Sequence, residues 1–317
     1  MMPLYLGIDG GQSGTMALIA DETGEVVGIG RSGPCNHTGA PDRRAKFFRA
    51  VSESLAEAAA GAGLDAGALA FQAACLGFSG GAADKEQYSR ELIRSAKFKI
   101  THDAEIALAG ATGGEPGIIV IAGTGSIAFG RNQTGAMARA GGWGYVLGDE
   151  GGAFDLMRHA LRAALQLEEH WGPSTALHAA LLEATGSASA DVLMRRFYAG
   201  EFPREQLASF APVVDQAAEA GDRIARKILN RAGIELAHYA GGVHRQLFSE
   251  GDFPAISYVG GVFRSARLLA TFTQRIGQSL GCATQPPLFI PAAGALLEAF
   301  RLDGIEPVLR GVPDSGK

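Results

Sequence analysis

Gly7-Ile8-Asp9-Gly10-Gly11-Gln12-Ser13-Gly14-Thr15 is the stretch from which the rest of the chain is read. Leu4 to Asp9 and Thr15 to Asp21 are apolar runs of strand length, and the turn between them is too rich in glycine to contribute side chains to a core. A turn of this kind presents backbone N–H groups and small hydroxyls to phosphate oxygens, and Asp9 at the strand end can hold a hydrated Mg²⁺. Alone, the same residues also suit an ordinary hairpin with an acid beside it, because the lysine of a P-loop is missing. A second copy separates the two readings. Ile118-Ile119-Val120-Ile121 runs into Ala122-Gly123-Thr124-Gly125-Ser126 and out through Ile127-Ala128-Phe129-Gly130. Two such turns at equivalent places in two repeats make a clamp for phosphates, whereas a structural hairpin has no need of matching Gly-Thr/Ser chemistry twice.

Working outward, Glu25 to Arg31 follows the turn Glu22-Thr23-Gly24 and completes a β-meander. A helix begins near Asp42 and carries Phe47, Val51, Leu55 and Ala58 at helical spacing. A strand (70–78), a helix (84–96), a strand (98–101) and a helix from Asp103 come next. The pattern restarts at Gly117, turns helical from Gly152 to Leu247, and resumes with strands at 255–259 and 288–290 and helices at 265–280 and 292–300. The expectation is a duplicated α/β unit: a first domain over 1–113, a second over 114–304 with a helical insertion at about 152–247, and residues 305–317 packing back on the first. A third glycine pair, Gly260-Gly261, closes the strand Ala255 to Val259, where a flat ring such as adenine can approach the backbone in an open α/β sheet. A strand-to-helix turn uses glycine for packing too.

Composition limits the partners. With 317 residues, a net charge of -5 and no basic run, the chain is expected to bind neither nucleic acid nor membrane. Cys35, Cys75 and Cys282 are far apart and lack ligand spacing, so a reducing compartment, the cytoplasm, is expected. The 45 glycines cluster after apolar runs, which marks backbone that turns tightly or approaches a ligand.

Asp9 to Thr15, Thr101-His102-Asp103-Ala104, Ala122 to Ser126, Gly142-Trp143-Gly144 with Gly148-Asp149-Glu150-Gly151, and Gly260-Gly261 occur in an order that resembles the N-acetylglucosamine kinases. The chain is also similar to the wider ATPase family that contains the activators of 2-hydroxyacyl-CoA dehydratases and benzoyl-CoA reductase. The resemblance implies the two-domain, ribonuclease H-like fold of actin and hexokinase. It further implies transfer of the ATP γ-phosphoryl group to the 6-hydroxyl of an amino sugar such as N-acetylglucosamine or glucosamine, with Mg²⁺ at Asp9, by a homodimer. The nucleotide would meet Gly10, Gly11, Ser13, Gly14, Thr15, Gly123, Thr124, Gly125, Ala218, Gly260 and Gly261. Asn36, Asp103, Ser126, Ile127, Trp143, Gly144 and Asp149 would line the sugar. Two positions depart from the pattern: Ile127 replaces a polar side chain of the animal enzymes, and Gln12-Ser13 replaces Gly-Thr.

Several of these residues have plainer readings. Asp103 precedes a helical stretch and serves equally as its N-cap; as a catalytic base it would take the proton of the acceptor hydroxyl. Asn36 lies in a polar loop where asparagine commonly serves turn geometry. Trp143 between glycines suits a ring exposed to a sugar face, and Asp149 and Glu150 precede a helix whose dipole favours acids. Two rival functions share the ATP clamp: the activator of a CoA-linked dehydratase or reductase, which bridges an iron–sulfur cluster through cysteines, and a sugar sensor without turnover.

Overall fold

The computed structural model describes residues 2–11, 14–35, 43–79 and 83–314. They fall into two compact units, Met1–Pro116 with Pro287–Lys317, and Gly117–Pro286.

The first unit opens with β1 (Leu4–Gly10), β2 (Thr15–Asp21) and β3 (Val26–Ser32), followed by α1 (Arg43–Gly61), β4 (Phe71–Phe78), α2 (Ala83–Leu92), β5 (Ser95–His102) and α3 (Asp103–Thr112). Its sheet runs β3-β2-β1-β4-β5, with the meander antiparallel and β1, β4 and β5 parallel. The central strands are apolar on both faces because both are covered. Leu6, Ile8, Ala17, Ile19, Leu76 and Phe78 pack with Phe47, Val51 and Leu55 of α1.

The second unit contains β6 (Gly117–Ala122), β7 (Ser126–Arg131) and β8 (Met137–Gly141), then six helices, α4 (Ala153–Glu168), α5 (Leu177–Thr185), α6 (Ala190–Tyr198), α7 (Arg204–Ser209), α8 (Pro212–Glu219) and α9 (Arg223–Leu247). It ends with β9 (Ala255–Val259), α10 (Ala266–Leu280) and β10 (Thr284–Gln285). The strand order, β10-β9-β6-β7-β8, repeats that of the first unit: an antiparallel meander with two further strands laid parallel to its first member. This is the duplicated ribonuclease H-like fold. Buried Ile118, Val120, Ala128, Met157, Leu229 and Leu236 belong to one continuous core in this unit.

The chain then returns to the first unit with α11 (Pro291–Leu302). Tyr5, Leu18, Ala73 and Cys75, which face away from α1, are covered by Ala292, Leu296, Ala299 and Phe300 of α11 and Ile106 of α3. Residues 287–304, placed with the second half on sequence grounds, therefore belong to the first unit; their apolar stripe completes its second face. Two element assignments also differ. The helix expected to reach residue 96 stops at Leu92, because the N–H of Phe71 donates to Arg94 O at 2.9 Å and the chain enters β5 at Ser95. No strand forms at 288–290. The N–H groups of Leu288 and Phe289 instead donate to the carbonyls of Ala111 and Gly110 near the end of α3.

Where α3 crosses α11 the backbones touch: a Cβ on Gly294 would lie 1.9 Å from Ile106 O. Lys99 of β5 adds a polar tie, its Nζ lying 2.6 Å from Glu105 on α3 and 2.7 Å from Glu298 on α11. The helix whose first residue is Asp103 is thus held by both its neighbours. Among the described residues no helix is long and apolar enough to cross a membrane.

Candidate active site

In the first unit, three parallel strands end level with one another. Gly10 pairs with Phe78 and Phe78 with His102, so Asp9, one residue earlier, sits on the same edge as the start of α3. Carboxyl ends of strands in open α/β sheets are where ligands bind. Asp103 is exposed at the first position of α3, and one of its carboxylate oxygens accepts the N–H of Ala104 at 2.8 Å. The N-cap expected at Asp103 falls instead on His102, and Asp103 as the first helical residue has its second carboxylate oxygen without a hydrogen bond among the described residues. His102, exposed beside it, makes no side-chain cap bond.

Asp9 is pushed up to about 6, chiefly by burial and then by the charge of Asp103. Two acids thus share one strand edge, and neither has an ion-pair partner among the described residues. A hydrated divalent cation would relieve both the burial and the repulsion. Among the described residues no group of three or more His, Cys, Asp or Glu side chains is placed to hold a metal ion. The Gly11 N–H donates to Gly14 O at 2.9 Å and closes the first glycine turn. Gly10 and Thr15 have structural tasks here: a Cβ on Gly10 would lie 2.6 Å from both Cys35 and Phe78, and the Thr15 hydroxyl donates to Gly33 O at 2.9 Å. Ser13 and Asn36 lie outside the described residues.

In the second unit, β6 and β9 end side by side, with Ile121 opposite Val259. Gly260 continues from β9 at φ 117°, and a Cβ there would lie 2.2 Å from Ala122 O, so only glycine lets the two turns touch. Within the β6–β7 turn, the Gly123 N–H donates to Gly125 O at 2.9 Å. The first amides of α4, from Ala153 and Phe154, donate to Gly123 O and Thr124 O at 2.8 and 3.1 Å. The carbonyls are thereby occupied. The N–H groups of Thr124 and Gly125 have no acceptor among the described residues, which leaves a pair of donors for an anion.

Beside this turn lies a cavity of ≈ 350 Å³, lined by Gly123 and Gly261 and by Leu156, Ala211, Asp215 and Val262 among others. A Cβ on Gly123 or Gly261 would meet nothing within 4 Å. Both positions therefore leave room for a ligand against bare backbone. Ala218 lines a separate cavity of ≈ 540 Å³, which shares Asp215 with the first. Asp215 accepts a hydrogen bond from the hydroxyl of Ser265, the N-cap of α10.

The segment from Gly141 to Gly151 brings the second unit's remaining candidates together. Asp149, at φ 62° and only 6% exposed, forms an ion pair with Arg204 of α7 at 2.6 Å. The Arg204 guanidinium also lies 5.2 Å from the ring of Tyr145. Gly125 is pressed against this pair: a Cβ there would sit 2.3 Å from Asp149 Oδ2 and 2.7 Å from the Arg204 guanidinium. Its glycine is required by the ion pair behind the turn, not by open space in front of it. Ser126 is buried and donates to Glu150 O at 2.6 Å, while Glu150 accepts the hydroxyl of Tyr239. Burial, and then the bond to Glu150, raises that phenol. Ile127 packs under Gly142, Trp143 is 63% exposed, and Gly144 at φ 79° has open space around it. Arg204, Tyr239 and Asp215 were not singled out from sequence. Each lies in the helical stretch, where only a contact made in three dimensions distinguishes it from a surface residue.

Three comparisons bear on this geometry. The family model of the BadF/BadG/BcrA/BcrD ATPase family matches residues 6–299. The N-acetylmuramic acid/N-acetylglucosamine kinase of Clostridium acetobutylicum is 32% identical over 273 residues, covering 84% of this chain and 88% of that protein. Among solved structures, a Chromobacterium violaceum protein assigned as an N-acetylglucosamine kinase superposes with a TM-score of 0.73 at 28% identity, over 93% of this chain and 98% of that one. A ROK family glucokinase from Streptomyces griseus shares the fold at a TM-score of 0.54 and 16% identity, over 95% and 100% of the two chains.

Two outcomes follow from the charges. Arg204→Gln strands a buried carboxylate and should lower the unfolding free energy by about 2 kcal/mol, whereas adding Asp149→Asn should recover part of that loss in a double-mutant cycle read by urea denaturation. Strictly additive losses would mean that the pair is not coupled. Asp9 has a folded value above its unfolded one, so its contribution is fully present below about pH 4. That contribution is lost as pH rises to about 6. Asp9→Asn should therefore gain on the metal-free wild type by on the order of 2 kcal/mol between pH 4 and 7; a pH-independent difference in denaturation midpoint would contradict the assignment.

Proposed function

The chain belongs to the BadF/BadG/BcrA/BcrD ATPase family, and on that footing we propose that it is an ATP-dependent kinase acting on the 6-hydroxyl of an amino sugar, with N-acetylglucosamine as the preferred substrate. The observation that carries the ATP half of this reading is the turn at Gly123 to Gly125. Its Gly123 lines a largely apolar cavity of ≈ 350 Å³, a size within the range of small-molecule sites, and the next two residues carry unengaged amides. Phosphate oxygens are assigned to Thr124 and Gly125, and the adenine ring to the bare backbone of Gly123 and Gly261. Gly10, Gly11, Ser13, Gly14 and Thr15 are assigned to the phosphates from the first unit, and Ala218 and Gly260 to the nucleotide's surroundings.

Phosphoryl transfer asks chiefly for positioning and charge stabilisation. The oxygen of the sugar 6-hydroxyl forms a bond to the γ-phosphorus, the bond from that phosphorus to the β–γ bridging oxygen breaks, and ADP leaves with the electron pair. The hydroxyl proton goes to the free carboxylate oxygen of Asp103. Asp9 would hold Mg²⁺, which when bound supplies positive charge to the phosphates. Asn36, Ser126, Ile127, Trp143, Gly144 and Asp149 are assigned to the sugar. Ser126 and Asp149 act partly through Glu150 and Arg204, which already engage them. The three cysteines are free and buried, which fits a cytoplasmic protein and gives the cluster-bridging activator reading no support.

ADP release measured against N-acetylglucosamine, glucosamine, N-acetylmannosamine and glucose should show the highest kcat/KM for N-acetylglucosamine. Asp103→Asn should lower kcat by roughly 10²–10⁴-fold while sugar binding is largely retained. A variant that kept more than about a tenth of wild-type turnover would remove Asp103 as the base.

A further inference from the structure

Asp215 of α8 stands in the wall between two neighbouring cavities of the second unit and lines both. It is half-buried and makes no ion pair among the described residues. One of its carboxylate oxygens accepts a hydrogen bond from the Ser265 hydroxyl, which itself accepts the N–H of Leu268 as the N-cap of α10. That bond ties α8 to the start of α10 and fixes the direction of the carboxylate. The second oxygen has no hydrogen bond among the described residues. A carboxylate carries acceptors only, so the group that completes it is a donor.

The two cavities differ in chemistry. Leu156, Ala208, Leu229 and Val262 give the first, of ≈ 350 Å³, an apolar wall beside the bare backbone of Gly123 and Gly261. Arg226, Asn230, Thr271 and Gln274 give the second, of ≈ 540 Å³, a polar one. A flat base suits the apolar cavity. The edges of adenine carry ring-nitrogen acceptors and a single donor group, the amine, so a carboxylate set against them is mostly repelled. The ribose instead carries two adjacent hydroxyls, both able to donate, and lies between base and phosphates. With phosphates on the Thr124 and Gly125 amides and the base against Gly123 and Gly261, the ribose is the part left to meet the polar wall at Asp215.

We propose that the unpaired oxygen of Asp215 accepts hydrogen bonds from the ribose 2′,3′-diol, which makes Asp215 the residue that selects ribonucleotides over deoxyribonucleotides as phosphoryl donors. This rests on the reading above that ATP binds in this unit. Acids take ribose hydroxyls in other nucleotide-binding α/β folds for the same reason. Ser265 is a positioning residue: without its hydroxyl, Asp215 keeps its acceptors but loses its fixed direction.

The test compares kcat/KM for ATP, 2′-deoxy-ATP, 3′-deoxy-ATP and GTP, at saturating N-acetylglucosamine, in the wild type, Asp215→Ala and Asp215→Asn. Ratios taken within one protein do not depend on how much of it is folded, and the Asn variant preserves the side-chain volume. The wild type should prefer ATP to at least one deoxynucleotide by roughly 10- to 100-fold, the size expected for a hydrogen bond to a charged group. That preference should lie in the KM for the nucleotide, largely vanish in Asp215→Ala and shrink in Asp215→Asn. Calorimetry should show the same discrimination between ADP and its deoxy counterparts without sugar or turnover. A wild type that treats ATP and both deoxynucleotides alike, or a preference that survives in Asp215→Ala, overturns the inference and leaves the kinase reading standing. A variant that changes only the ATP-to-GTP ratio also overturns it, by placing the base at Asp215. Discrimination seen by calorimetry in a protein that phosphorylates no amino sugar would uphold the ribose contact and sink the kinase reading.

Discussion

Asp149, buried and paired with Arg204, rests against the Cα of Gly125, and this contact joins three parts of the second unit that are distant in sequence. A buried carboxylate is tolerated only with a partner, so the helical stretch that carries Arg204 is tied to the loop that carries Asp149. Because the pair packs against Gly125, the β6–β7 turn is fixed from one side, while the Thr124 and Gly125 amides have no acceptor among the described residues. The first amides of α4 lock the same turn through its carbonyls. Under the proposed function, donors held in this way would stabilise phosphate charge without having to move.

The first unit uses the opposite arrangement. Asp9 and Asp103 share a strand edge with no cation paired to them among the described residues, and Asp9 is held up by burial and by its neighbour. An uncompensated acid at a strand end is unfavourable for the empty protein and favourable for binding a metal ion. The Lys99, Glu105 and Glu298 network, with the close crossing of α3 and α11, keeps the helix bearing Asp103 in place despite that repulsion. One unit therefore satisfies its buried charge internally and offers neutral N–H donors, while the other leaves its acids available.

Much of this was legible in the sequence, because the signals are local. Short apolar runs such as Leu4 to Asp9 and the repeated glycine turns at 10–14 and 122–126 give the meanders and the duplication. What could not be read depends on contacts between distant residues. Gly10 and Gly125 look alike as phosphate glycines, yet one makes room for Cys35 and Phe78 and the other for an ion pair. Arg204 is one of several arginines in a helical stretch until its 2.6 Å bond to Asp149 is seen, across 55 residues of chain. Helix α11 has the same amphipathic pattern whichever unit it covers, so its return to the first sheet was invisible to periodicity.

The central claim is that the γ-phosphoryl group is delivered to the sugar 6-hydroxyl. Incubation of the purified protein with ATP, Mg²⁺ and ¹³C-labelled N-acetylglucosamine, followed by ¹³C and ³¹P NMR of the products, tests it directly. The account predicts a single new phosphomonoester whose phosphorus couples to C6 of the sugar, formed in equal amount with ADP. Phosphate attached at C1, or free phosphate released with the sugar unchanged, would contradict it.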